Sequence, residues 1–188
     1  MSYADNKRIA KNTIYLYIRT FVSMIVALYT SRKILETLGV DDFGIFNVVG
    51  GIISLMSFIN GSMSVATQRY LTYELGRGTE GQFNKVFNMA VYIHAIIAVI
   101  VLIAAETVGV WFVNTQLNIP EVRMEAANWV FQATILTTIL GILQTPYNAA
   151  IISHEHMHVY AYVGLGETFA KLFIVLCLFS YPYDRLAI

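Results

Sequence analysis

Charge is scarce in this 188-residue sequence. Twelve Lys plus Arg and twelve Asp plus Glu make up 13% of the chain, where soluble domains carry roughly a quarter. With 57% hydrophobic residues and a mean hydropathy of +0.61, that shortage excludes a water-solvated domain and points to a membrane protein. The two signs cancel to a formal net charge of zero, which leaves no basic surface for a nucleic acid. Cysteine is nearly absent. The one thiol, Cys177, lies in an apolar run, so neither an internal disulfide nor a cysteine zinc site can form. Sustained period-2 alternation is missing as well, and with it the pattern of a spanning β-barrel. No Gly-rich phosphate loop leads into Lys-Ser or Lys-Thr, no G-x-S-x-G occurs, and no carboxylate pair shares a span.

Long apolar runs are what the sequence does have. A bilayer crossing needs about 20 apolar residues and must satisfy its own backbone hydrogen bonds, so each run is expected to be a helix. Five spans are expected, at residues 13–31, 43–67, 86–105, 126–152 and 159–179. The expected fold is therefore all-α, a polytopic membrane helix bundle with residues 1–188 as one transmembrane domain. The first run is expected to be a retained span and not a cleaved signal peptide, because Arg19 interrupts it, Tyr15, Tyr17 and Tyr29 are bulky, and no small-x-small site precedes Arg32-Lys33. Connections are expected at Arg32 to Asp42, Gln68 to Lys85, Asn114 to Glu125 and Ser153 to His158, with Gly76, Gly78 and Gly81 as turn punctuation. Lys7, Arg8 and Lys11 flank the first span and favour a cytoplasmic N-terminus. After Ser180-Tyr-Pro-Tyr-Asp-Arg185 the chain stops at Leu186-Ala-Ile188 as a sixth helix would start, so a longer protein is expected.

Polar residues inside the spans are the functional candidates. Asn47, Gly50, Ser54, Ser57, Gly61, Ser64 and Gln68 recur at spacings of three and four, one face of a helix. Such a ridge either lets helices approach closely or lines a wet cavity. The fourth span carries a looser version in Thr134, Thr137, Thr138, Gly141, Gln144, Thr145 and Asn148, with Asn128 and Gln132 near its start. Asn60-Gly-Ser62 fits a glycosylation pattern but lies mid-span, where it cannot be modified. Charge in hydrocarbon is the stronger signal, at roughly 2.5 to 3.5 kcal/mol for a centred Lys, Arg or Asp. Arg19 lies about 9 Å into its span and either snorkels or faces a cavity. Lys171 is deeper, about 18 Å from one end, and Glu167 precedes it by four residues on one helical face. A neutralising intrahelical pair is the expected default there, with an anion-binding or proton-coupling role as the alternative. His94 is expected to be an ordinary hydrogen-bonded interior histidine.

His154-Glu155-His156-Met157-His158 satisfies H-E-x-x-H literally. The rival reading is an intramembrane zinc metalloprotease with His154 and His158 as ligands and Glu155 as base. It lacks a third protein ligand, and the motif falls in a short loop and helix start. A complete five-helix structural or assembly subunit is a third possibility.

The stretch Ser31-Arg-Lys-Ile-Leu-Glu-Thr-Leu-Gly39 through Asp42-Phe-Gly44-Ile-Phe-Asn-Val-Val-Gly-Gly51, with Asn60-Gly-Ser62, Gln68-Arg-Tyr70, Glu74-Leu-Gly76, Asn118-Ile-Pro120, Pro146-Tyr-Asn148 and His154-Glu155, resembles the bacterial polysaccharide-biosynthesis flippases. These are O-antigen and exopolysaccharide exporters of the multidrug/oligosaccharidyl-lipid/polysaccharide exporter superfamily. The resemblance implies most of the N-terminal lobe of an exporter of about 12 to 14 helices, with the C-terminal helices of the same protein as partner. It implies a bacterial inner-membrane transporter, not an enzyme and without cofactor, that turns undecaprenyl-diphosphate-linked oligosaccharide across the membrane lipid by alternating access. Candidate substrate-binding residues are then Arg19, Lys171, Glu167, Asn47, Ser57, Asn60, Ser64 and Gln132. Cations suit a diphosphate in low dielectric. The first span offers no carboxylate for a cationic drug, which favours an anionic substrate.

Overall fold

The computed structural model describes residues 3–179, with the side chains of all of these except 3–6, 8, 52–59, 178 and 179. Its order is helix α1 (Tyr3–Gly76), a 3-10 turn (Gly78–Glu80), helix α2 (Phe83–Ala104), a π-helical turn (Ala105–Gly109), helix α3 (Val110–Thr115), helix α4 (Glu121–Ser153) and helix α5 (Met157–Phe179). Described residues form no strand. The all-α expectation holds.

Among the described residues four helical stretches are long and apolar enough to cross a membrane: Ile9–Gly51, Phe83–Thr115, Glu121–Ser153 and Met157–Cys177. Their outer surfaces are inverted relative to a soluble protein, since Tyr17 is 72% exposed, Leu28 68% and Phe173 67%. In water such a shell is a large apolar patch. In lipid it costs nothing, and the chain is a membrane protein on that ground.

The expected loop from Arg32 to Asp42 does not form. Helix continues on both sides, and only Gly39 departs from it, at φ 81° and ψ 175°. That left-handed backbone suits glycine, whereas a side chain there would strain the turn. Arg32 and Lys33 each bond Glu36 at 2.8 Å, so charge sits on helix where a loop was expected. One glycine is enough to reverse the chain. Ser23 of α1 meets Thr168 and Asn12 reaches the Glu155 carbonyl, which sets residues 3–38 parallel to α5. Asp42 meets Arg123 and Asn60 meets Thr145, which sets residues 40–76 parallel to α4. Helices α4 and α5 are joined by a three-residue turn and bridged at Gln144 and Glu167, so they are antiparallel. The two arms of α1 therefore run in opposite senses. Five arms result, with the expected spans 13–31 and 43–67 on the two arms of α1.

The expected Gln68–Lys85 connection shrinks to residues 77–82, because backbone bonds carry α1 on to Gly76 past its charged end. Glu74 accepts from the Gln82 N–H at 2.7 Å and holds this turn onto the start of α2.

Clusters of buried hydrophobic residues lie between α4, the second arm of α1 and the α2–α3 run. Val49, Ala105, Val113, Ala127, Phe131 and Ile135 form one, and Ala98, Val101 and Ile142 form another. Gly109 makes room for the largest member, since a Cβ there would lie 2.6 Å from the Phe131 ring. Polar groups in this region pair across helices. Asn114 and Asn128 exchange amide hydrogen bonds at 3.1 and 2.9 Å, Thr145 donates to Asn60 at 3.0 Å, and Gln132 donates to Glu106 at 3.1 Å.

Candidate functional site

The seam between the first arm of α1 and α5 is built differently. Its side chains are aromatic, small or polar: Tyr15 against Tyr162 and His158, Ser23 on Thr168, and Arg19 across Tyr160 and Gly164. The Arg19 guanidinium carbon lies 4.3 Å from the Tyr160 ring centroid. Nε of Arg19 is buried and has no hydrogen-bond partner. Among the described residues no carboxylate lies within ion-pair distance of this cation. Arg19 is half-buried and folded onto the seam, without an ion pair among the described residues.

Magnitudes sharpen this. A cation over an aromatic face contributes about 0.5 to 2 kcal/mol. A buried donor left unbonded costs about 1 to 3 kcal/mol. The two nearly cancel, so the stack by itself adds little to the fold.

Glu167 and Lys171 depart from expectation. Their spacing shares a face, but Glu167 accepts from Gln144 of α4 at 3.0 Å. Among the described residues no ion pair joins it to Lys171, and both side chains are exposed. Packing α5 antiparallel to α4 brings an amide to the carboxylate, and the neighbouring ammonium is left on the outer face.

The remaining candidates do not converge on Arg19. Asn47 is exposed and bonds the Phe43 carbonyl of its own helix at 2.7 Å. Asn60 belongs to the α1–α4 contact, and Ser64 is half-buried beyond it. Gln132 is held by Glu106, and the side chain of Ser57 lies outside the described residues. At the glycines of the small-residue ridge, an added Cβ at Gly50 or Gly61 would meet nothing within 4 Å. Sequence reading missed Tyr160 and Gly164. An aromatic and a glycine four apart on one face of α5 was the available signal.

His94 is fully buried on α2 with Nδ1 bonded to the Ala90 carbonyl at 2.8 Å, while Nε2 has no partner. The expected interior histidine is there, half satisfied.

The H-E-x-x-H match is broken by the fold. His154 follows the end of α4, Glu155 takes φ 56°, and His158 belongs to α5, so the two histidines do not share one helix face. His154 Nδ1 is engaged by the Ala150 carbonyl at 2.8 Å. Among the described residues no group of three or more His, Cys, Asp or Glu is placed to hold a metal ion.

At the opposite end of the bundle, Leu38, Gly39, Asp42, Asn118, Pro120 and Arg123 line a cavity of about 560 Å³. It opens where α1 turns back. Asp42 and Arg123 pair across it at 3.1 Å.

No family model, curated protein or solved structure matches the chain.

Proposed function

We propose that this chain forms part of a bacterial inner-membrane transporter that moves a lipid-linked oligosaccharide diphosphate between leaflets, with its N-terminus cytoplasmic. One observation carries the reading: Arg19 is a cation among apolar helices with no anionic partner among the described residues and a buried, unbonded Nε. In surroundings of low dielectric such a group gains far more from a phosphoryl oxygen than it would in water. Guanidinium also matches phosphate geometry with two parallel donors, which a Lys cannot do. An anion that arrives, is held and then leaves suits a transported headgroup better than a structural pair does. The resemblance to polysaccharide flippases noted for the sequence agrees in substrate charge.

Side-chain amides that already bond across helices, at Gln132, Gln144 and Asn60, are the groups in this reading that exchange partners with sugar hydroxyls as helices rock. Lys171, exposed and unpaired among the described residues, is a second cation on α5. The test is export of surface polysaccharide from cells that depend on the intact protein, at matched protein levels. Arg19→Gln is expected to lower the rate about tenfold or more, as loss of charge-assisted bonds of about 1.5 to 3 kcal/mol requires. Undiminished export would remove Arg19 from the mechanism and with it the main support for this reading.

A further inference from the structure

We infer that Tyr160 and Gly164 are positioning residues that hold the Arg19 guanidinium with its terminal nitrogens turned out toward an oxyanion. This rests on the reading of Arg19 as the anion contact and adds how the fold presents it. Two surfaces fix the group. The Tyr160 ring covers one face at 4.3 Å. Gly164, buried on the same face of α5 one turn later, takes its edge: a Cβ there would lie 2.6 Å from Cζ and 2.7 Å from Nη2, and nearer still to Nε. Any side chain at position 164 therefore evicts the guanidinium. Gly166, two residues further on, has nothing within 4 Å of its Cβ position and is not part of the seat.

The seat also decides which nitrogens remain for a ligand. Nε is sealed and unbonded, whereas Nη1 and Nη2 are not sealed in the same way and make no hydrogen bond among the described residues. The outer edge of the fork is thus the donor pair left to act, in the geometry that phosphoryl oxygens accept bidentately. A long side chain held on both sides loses little further freedom on binding, which is the advantage of preorganisation. The chemistry recognised is a phosphoryl oxyanion, whether from a free diphosphate or from a lipid headgroup.

The experiment uses the full chain in nanodiscs, with 3-fluorotyrosine at position 160 reporting the stack by its ¹⁹F shift. One arm titrates inorganic pyrophosphate into phosphatidylcholine discs, and the other replaces part of that lipid with phosphatidylglycerol and adds no pyrophosphate. A ¹⁹F response in the first arm assigns a free diphosphate, and in the second a headgroup. Gly164→Ala is expected to shift the ¹⁹F signal and weaken the response about fivefold to tenfold, while Gly166→Ala changes neither. Tyr160→Phe, followed by pyrophosphate affinity alone, should stay within about twofold, and Tyr160→Leu should match Gly164→Ala. In an Arg19→Lys background, whose ammonium lacks Cζ and Nη2, Gly164→Ala should cost almost nothing, a non-additivity that a merely structural glycine does not produce. A wild-type response that is indifferent to Gly164→Ala, or equally weakened in both backgrounds, overturns the positioning role alone. No response to either probe overturns it together with the reading of Arg19.

Discussion

Two seams of one bundle solve opposite problems. Between α4, the second arm of α1 and the α2–α3 run, a phenylalanine fills the space left by a glycine, and polar side chains pair across helices: Asn114 with Asn128, Thr145 with Asn60, Gln132 with Glu106. Between the first arm of α1 and α5, the glycine makes room for a guanidinium, and the polar group it admits is left with an unbonded Nε. Lipid supplies no hydrophobic push between helices, so packing and interhelical bonds must hold the bundle. The first seam satisfies both demands. The second gives up part of its bonding capacity, and that deficit is what a ligand can fill.

The comparison breaks most sharply on Phe131→Ala. Its ring is fully buried against Gly109, and its loss leaves a cavity that the neighbouring helices close only partly. A stability loss of about 3 kcal/mol is expected, read from the SDS unfolding midpoint in mixed micelles. Arg19→Gln should do the reverse. It removes an unbonded donor along with a stack of similar size, so the midpoint should move by less than about 1 kcal/mol while export falls about tenfold or more. If Arg19→Gln unfolds the protein as Phe131→Ala does, both seams are structural and the contrast is void.

How much of this was legible in the sequence differs from element to element. Helices and their apolar lengths were legible because lipid forces a period and a minimum run on every span. The reversal at Gly39 was not. Charged residues from Arg32 to Asp42 resembled a loop, yet helical bonding ignores side-chain polarity and one left-handed residue replaced the whole connection. Arg19 stood out by its cost in hydrocarbon, but its seat did not, because Tyr160 and Gly164 are brought to it only by the parallel register of the first arm of α1 and α5. Glu167 and Lys171 misled for a related reason. Spacing within one helix named a partner, and packing against α4 supplied Gln144 instead.

A smaller effect tests whether the Gly39 reversal needs an anchor. Asp42, its side chain only 12% exposed, pairs with Arg123, which is 37% exposed, at the mouth of the cavity beside the break. Partial exposure screens the pair, so Asp42→Asn and Arg123→Gln should couple by about 1 kcal/mol in a double-mutant cycle on the SDS midpoint. Coupling near zero would assign the reversal to Gly39 and to packing alone. Gly39→Ala should then be the costlier change, since alanine must adopt a φ of 81°.

The finest test lies in the well-bonded seam. Asn114 and Asn128 bond each other through both amides, and each also donates to its own helix, to the Val110 and Met124 carbonyls at 2.8 and 3.0 Å. Both side chains therefore keep a partner when the other is removed, which limits the loss. Interhelical hydrogen bonds in membranes average about 0.6 kcal/mol because the separated helices also find partners. Asn114→Ala and Asn128→Ala should each lower the SDS midpoint slightly and couple by about that amount, without changing export beyond what the lost stability explains. A coupling several times larger would mean that the pair sets the register of α3 on α4. A fall in export with no loss of stability would move substrate handling into the seam read here as structural, and the division between the two seams would have to be redrawn.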